Sequence, residues 1–208
     1  METAVVVLAG GGSRRWAGRD KTGVLLGGVP VLEHAVRGVA AAADVDLGDV
    51  VVVGPPEHPA RPRLALDTSL PATEPARGVR WVREEPPGGG PVAGLAAGVG
   101  ALTPAVTRVV VGAGDAPFAG EAVPLLLDGL DEGLDGAIGV DAEGRDQPLL
   151  AVYRVAPLRA ALSVFPSESS LRELVGRLRV ARVPVGERPA LDLDTPEDLA
   201  TAERLLSS

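Results

Sequence analysis

Lys21 is the sole lysine of a chain that carries nineteen arginines. It closes the segment Ala9-Gly10-Gly11-Gly12-Ser13-Arg14-Arg15-Trp16-Ala17-Gly18-Arg19-Asp20-Lys21. An ammonium is a compact point charge and a guanidinium a planar fork, so a site that needs one cannot freely take the other. The glycines let backbone N–H groups approach a ligand with no Cβ in the way. Arg14 and Arg15 can grip phosphate oxygens bidentately, and Lys21 adds its point charge. Four cations and four glycines in so short a loop point to a small polyanion; the competing reading is a solvated basic loop.

Two familiar phosphate motifs do not fit this loop. A dinucleotide fingerprint requires glycine where Arg15 stands, which disfavours a nicotinamide-dependent oxidoreductase. A P-loop requires glycine directly before its lysine, and Asp20 occupies that place.

A second candidate is Val111-Gly112-Ala113-Gly114-Asp115-Ala116-Pro117. Asp115 falls just past an apolar run and is placed to ligate a hard cation such as Mg²⁺, which takes one or two carboxylates together with phosphates and waters. A plain turn or cap aspartate is the other reading. Asp192 and Asp194, in Leu191-Asp192-Leu193-Asp194-Thr195-Pro196, can supply a second carboxylate, although capping the last helix is the role their position favours. The third candidate is Glu84-Glu85-Pro86-Pro87-Gly88-Gly89-Gly90-Pro91, ahead of a helix whose N-terminus favours an anion. Here Glu85 can accept hydrogen bonds from a base edge or a ribose; a surface acid on a turn is equally open. His34 and His58 lack partners at ligand spacing and read as structural or solvated. No serine sits in a nucleophile elbow. Arg172, Arg177, Arg179 and Arg182 read as a surface face.

The elements around these loops alternate between strand and helix. Strands are expected at 4–9, 49–54, 78–83, 108–112, 136–140 and 149–153. Helices are expected at 31–43, 92–102, 121–130, 156–163 and 168–177. Thr195-Pro196-Glu197-Asp198 opens a last helix: Thr195 as N-cap, proline at its first position, acids in its first turn. Residues 55–78 hold six prolines and read as an irregular surface excursion. Val5-Val6-Val7-Leu8 and Val50-Val51-Val52-Val53 are continuous apolar runs, the mark of strands buried on both faces. Together these imply an α/β fold: a mostly parallel sheet in a three-layer α/β/α sandwich, one domain over residues 1–208. Ligands of such sheets bind beyond the carboxyl ends of the strands, where the three candidate loops fall.

Composition narrows the function classes. The formal net charge of -8 argues against nucleic acid as a partner, and five aromatic residues leave little for stacking bases. No apolar run approaches the roughly 18 residues that span a bilayer, so no membrane partner is expected. The N-terminus shows strand chemistry in place of a secretory leader. With no cysteine there is no disulfide framework or thiolate metal site, which fits a cytoplasmic protein.

In order along the chain, Leu8-Ala9-Gly10-Gly11, Ser13-Arg14-Arg15, Gly18-Arg19-Asp20-Lys21, Gly90-Pro91-Val92-Ala93-Gly94, Gly114-Asp115-Ala116-Pro117-Phe118, Asp146-Gln147-Pro148-Leu149 and Asp194-Thr195-Pro196-Glu197-Asp198-Leu199 resemble the MobA-type nucleotidyltransferases, the molybdenum-cofactor guanylyltransferases. The resemblance covers nearly the whole chain apart from 55–78. It implies a Rossmann-like nucleotidyltransferase fold with GTP as donor, a phosphorylated pterin as acceptor and Mg²⁺ as metal. It places Leu8, Ala9 and Gly10 at the nucleotide, Lys21 at its phosphates, Glu85 near the guanosine and Asp115 on Mg²⁺. Transfer to the phosphate of molybdopterin would use Lys21, Arg15 and Asp115, with Gly11, Gly12, Ser13 and Arg14 completing the nucleotide loop. Three positions depart from the pattern: Trp16-Ala17-Gly18 is one residue longer, Glu85 replaces an aspartate, and Gly114 stands where cysteine is common. A cytidylyltransferase is the alternative within the class, and a non-catalytic nucleotide-binding module the alternative outside it.

Overall fold

Valine dominates the centre of the sheet because its branched side chain packs well on a pleated surface buried from both sides. The computed structural model describes residues 2–10, 16, 20–64, 78–165 and 169–207. Strand β1 (Glu2–Leu8) leads toward Lys21 and a short hairpin, β2 (Leu25–Leu26) and β3 (Val29–Pro30). Helix α1 (Val31–Ala42), strand β4 (Val50–Val53), helix α2 (Arg61–Leu64), strand β5 (Arg80–Val82), helix α3 (Gly90–Gly100) and strand β6 (Val106–Ala113) follow. The chain continues through α4 (Val123–Asp128), β7 (Gly136–Val140), β8 (Asp146–Arg154), α5 (Val155–Val164), α6 (Leu171–Val175), β9 (Val180–Pro184) and α7 (Pro196–Leu206).

Seven strands form one sheet in the order β5-β4-β1-β6-β8-β7-β9. β1 is parallel to both β4 and β6, with Val7 opposite Val52 and Gly112. β8 alone is antiparallel to its neighbours β6 and β7. The expectation of a mostly parallel sheet holds, with one reversed strand.

Alternation along β1 divides the core. Val5 and Val7 pack with Leu32, Val36 and Val39 of α1 and Val123 and Leu126 of α4. Ala4, Val6 and Leu8 pack with Leu95 and Val99 of α3, Leu158 of α5 and Leu174 of α6. Helices therefore cover both faces. α3 lies close against the sheet because Gly94 and Gly98 face Leu8, Val6 and Val53, where a Cβ would collide. A third cluster of Leu26, Val31, Phe118, Leu193 and Ala202 docks α7 onto the hairpin.

Several boundaries differ from expectation. The first strand spans Glu2–Leu8, and the Ala9 N–H closes its ladder on the Val53 carbonyl at 2.7 Å. The hairpin at 25–30 and strand β9 were not anticipated: the first has two-residue arms, and β9 is a part-exposed edge strand carrying Arg182 and Pro184. Residues 55–64 run over the surface as expected but are anchored by buried His58, Ala60 and Leu64 and end in a short helix. Two guanidiniums, Arg63 and Arg37, converge on the buried Glu33 of α1 and fix α2 there. The rest of the segment, 65–77, lies outside the described residues. Among the described residues, no helix is long and apolar enough to cross a membrane.

Candidate active site

The strand ends are stitched together at the sheet's carboxyl edge. The Gly114 N–H donates to Leu8 O at 2.8 Å, and the Gly54 N–H to Val82 O at 3.0 Å. The loops after β1, β5 and β6 consequently open on one cleft of about 500 Å³, a volume suited to a small ligand. Leu8, Gly10, Lys21, Glu84, Gly90 and Asp115 line it. The N-terminus of α3 contributes Gly88 and Gly90, both at positive φ, so this turn needs glycine.

Lys21 is the electrostatic centre. Its ammonium contacts the Asp115 carboxylate, and its Nζ lies 2.6 Å from Asp194 Oδ1. Burial opposes the charged form of Lys21, but the hydrogen bonds and charges of Asp115 and Asp194 outweigh it and hold the ammonium above its ordinary range. Asp115 reaches the cleft on the turn after β6, tied to the C-terminal segment by the bond from Leu193 N to Asp115 O at 3.0 Å. The cap of α7 is made by residues other than Asp194. Thr195 accepts from the Asp198 N–H, and the Asp198 carboxylate accepts from the N–H groups of Asp194 and Thr195. The expected capping role of Asp192 and Asp194 is thereby corrected. Between them, Leu193 O accepts from the Trp16 indole at 3.2 Å.

Asp192 borders an adjoining depression of about 220 Å³ that shares Ala113, Asp115 and Leu149 with the cleft. The residue keeps exposed surface. Crowding of its carboxyl by burial and then by Asp115, with smaller pushes from Asp194 and Asp198, raises it to about 7 against the pull of Lys21.

Asp115 and Asp194 converge on one cation, and carboxylate oxygens are the donors a hard divalent metal takes. Among the described residues no three acidic, imidazole or thiol groups could cage a metal by themselves. Such a pair suits an ion whose shell is completed by phosphates and water.

Residues 5–183 match the family described as the MobA-like NTP transferase domain. The chain belongs to that family. A similar protein is the molybdenum cofactor guanylyltransferase of Rhizobium johnstonii, 30% identical over 99% of this chain and 93% of the relative. Among solved structures, the molybdopterin-guanine dinucleotide biosynthesis protein A of Archaeoglobus fulgidus superposes with a TM-score of 0.68 at 26% identity, covering 98% of each chain. A 4-diphosphocytidyl-2C-methyl-D-erythritol synthase from Anaerococcus prevotii also reaches 0.68, at 17% identity over 99% of this chain and 98% of that one. The fold is therefore common to guanylyl and cytidylyl enzymes, and shape alone does not choose the base.

Of the residues expected from sequence in this MobA-like chain, Leu8, Gly10, Lys21 and Asp115 line the cleft, and Asp194 joins them through Lys21. Ala9 is buried at the end of β1. Gly11, Gly12, Ser13, Arg14 and Arg15 lie outside the described residues. Glu85 is not at the cleft: with Arg83 it borders a depression against Val92, Ala96 and Phe165 of the outer helical layer. Glu84 lines the cleft instead, its carboxylate accepting from the Gly88 N–H at 3.0 Å. β5 ends at Val82, and residues 83–85 leave it as an irregular segment, so strand alternation does not decide which of the two glutamates meets the cleft. His34 bonds the Leu26 carbonyl, as a structural residue does. Arg179 and Arg182 pair on the surface with Asp135 and Asp146.

Proposed function

We propose that this chain transfers GMP from GTP to the phosphate of molybdopterin and releases pyrophosphate, a step of molybdenum cofactor biosynthesis. The observation that carries the reading is the convergence of Lys21, Asp115 and Asp194 at the mouth of the cleft, in a member of an NTP transferase family. An oxygen of the acceptor phosphate attacks the α-phosphorus of GTP; the bond from that phosphorus to the bridging oxygen breaks, and pyrophosphate leaves with the electron pair. A phosphate is already ionised at neutral pH, so no general base is needed, which accords with the two histidines bonding elsewhere.

The work left to the protein is positioning and neutralising charge. Lys21 stabilises charge on the α-phosphate, and Arg14 and Arg15 receive the pyrophosphate. Glu84 accepts hydrogen bonds from the guanine edge or the ribose. The N-terminus of α3 favours the phosphate chain through its exposed N–H groups. Asp115 and Asp194 would hold Mg²⁺, which would supply charge neutralisation to the phosphates. The acceptor approaches from the depression bordered by Gln147, Leu171 and Asp192, which adjoins Asp115.

Cytidylyl transfer is the competing reading, since the fold accommodates it. Calorimetric titration with GTP, CTP, ATP and UTP, each with and without Mg²⁺, separates the two. Selective, Mg²⁺-assisted GTP binding is expected. Preference for CTP would move the assignment to cytidylyl transfer, and binding without any turnover would reduce the chain to a nucleotide-binding module.

A further inference from the structure

His58 is buried, with its side chain fully enclosed, although it belongs to the proline-rich segment after β4. Its ring stacks on Trp81 of β5, centroids 5.8 Å apart and planes 28° from parallel. The Ala60 N–H donates to His58 Nδ1 at 3.1 Å, so the ring proton resides on Nε2. Nε2 faces Thr22 Oγ1 at 2.8 Å and Asp20 Oδ2 at 3.0 Å. The other Asp20 oxygen accepts from the Thr22 hydroxyl at 2.7 Å and from the Thr22 N–H at 3.0 Å. These bonds depress the Asp20 carboxyl even though burial alone would raise it. The polar atoms of His58, Asp20 and Thr22 thus engage one another, and the two residues flanking Lys21 are tied to one imidazole. A further contact fits: a Cβ on Gly23 would stand 2.9 Å from the Pro59 ring, so glycine there lets His58-Pro59 dock against the turn.

We propose that His58 is a positioning residue. Through its Nε2–H it clamps Asp20 and Thr22, and so sets the Lys21 ammonium between Asp115 and Asp194. The kinetic part of this inference rests on the proposed nucleotidyl transfer; the structural part does not.

The sole lysine provides a direct test, because selective ¹³Cε, ¹⁵Nζ labelling of lysine gives a single side-chain signal, that of Lys21. His58→Phe fills the ring's space without the donor, and His58→Gln places an amide N–H near the Nε2 position. Thr22→Val, nearly isosteric and leaving the buried ring itself unchanged, serves as a second break in the clamp should His58→Phe not fold. The expected result is a displaced Lys21 signal in His58→Phe and Thr22→Val, with kcat lowered about tenfold to a hundredfold, the scale of a misplacement near 1 Å. His58→Gln restores both. A folded His58→Phe or Thr22→Val protein with an unmoved Lys21 signal and unchanged kcat, whatever its Tm, would overturn the proposal. Should the wild-type protein show no nucleotidyl transfer, the functional reading fails alone, and the Lys21 signal still decides the clamp.

Discussion

Lys21 Nζ lies 2.6 Å from Asp194 Oδ1 across 173 positions of sequence, and the same ammonium contacts Asp115. One cation thus pairs with two carboxylates, which arrive from the turn after β6 and the segment before α7. A metal ion drawn to those carboxylates must compete with, or displace, the lysine.

Replacing Lys21 is therefore expected to act in two opposed directions. Lys21→Ala lowers turnover by about 10²–10³, the usual cost of removing one stabilising donor from a developing charge. The same variant binds Mn²⁺ more tightly without nucleotide, by at least roughly tenfold. A unit charge about 4 Å away is worth about 4 kcal/mol even at an effective dielectric of 20, and about 1.4 kcal/mol is tenfold. Electron paramagnetic resonance of free Mn²⁺ reads the affinity directly; weaker binding in the variant would contradict this account of the ion pairs.

Glu84 and Glu85 should differ in their effects. Glu84→Gln is expected to weaken nucleotide binding by about 1.5–3 kcal/mol, the value of a hydrogen bond to a charged group. Glu85→Gln has a smaller effect, because its side chain borders a separate depression against α3 and Phe165. Calorimetry of both variants with the same nucleotide checks the order, and the reverse order would return Glu85 to the site.

Gly114 precedes Asp115 where the related pattern often has cysteine. A Cβ at Gly114 would lie 2.8 Å from Leu32 Cδ1 and 3.1 Å from Leu8 O, so here the space is taken by α1 and the end of β1. Gly114→Ala should cost about 1–3 kcal/mol, as overpacking does, and lower kcat by shifting Asp115. Thermal unfolding together with turnover tests this; an unchanged Tm and rate would mean that Leu32 yields freely.

Much of this architecture was legible because the relevant signals are local. The all-valine stretch at 50–53 and the Thr195-Pro196-Glu197-Asp198 start of α7 each carry their own physics, burial on both faces in one and capping in the other. Lys21 and Asp115 stood out through residue type beside glycine. What escaped depends on tertiary contact. Asp194 meets Lys21 while Asp198 completes the cap of α7, and Glu84 rather than Glu85 lines the cleft, an outcome of the irregular chain after β5. His58 looked like one more residue of a proline-rich loop, since nothing in 55–64 announces that its ring will be enclosed between Trp81 and the turn at Lys21.

Glu33 predicts a pH dependence of stability. Burial would raise its carboxyl, but Arg63 and Arg37 more than offset this and hold it below the ordinary carboxylate value. A depressed folded-state value means that the contribution is complete above the unfolded value of about 4.3 and is lost as pH falls through the lower folded value. Glu33→Gln should therefore destabilise by about 1–3 kcal/mol at neutral pH. The gap from wild type narrows only below pH ~4. Urea unfolding from pH 7 to pH 3 measures it, and a gap independent of pH would deny the charged pairing.

The most direct test of the central claim is pyrophosphate release in the presence of molybdopterin, Mg²⁺ and either GTP or CTP, with Asp115→Asn alongside the wild-type protein. Molybdopterin-dependent release that favours GTP, and is lost in Asp115→Asn, is the predicted result. Release favouring CTP, or no release from either nucleotide by a folded wild-type protein, would contradict it.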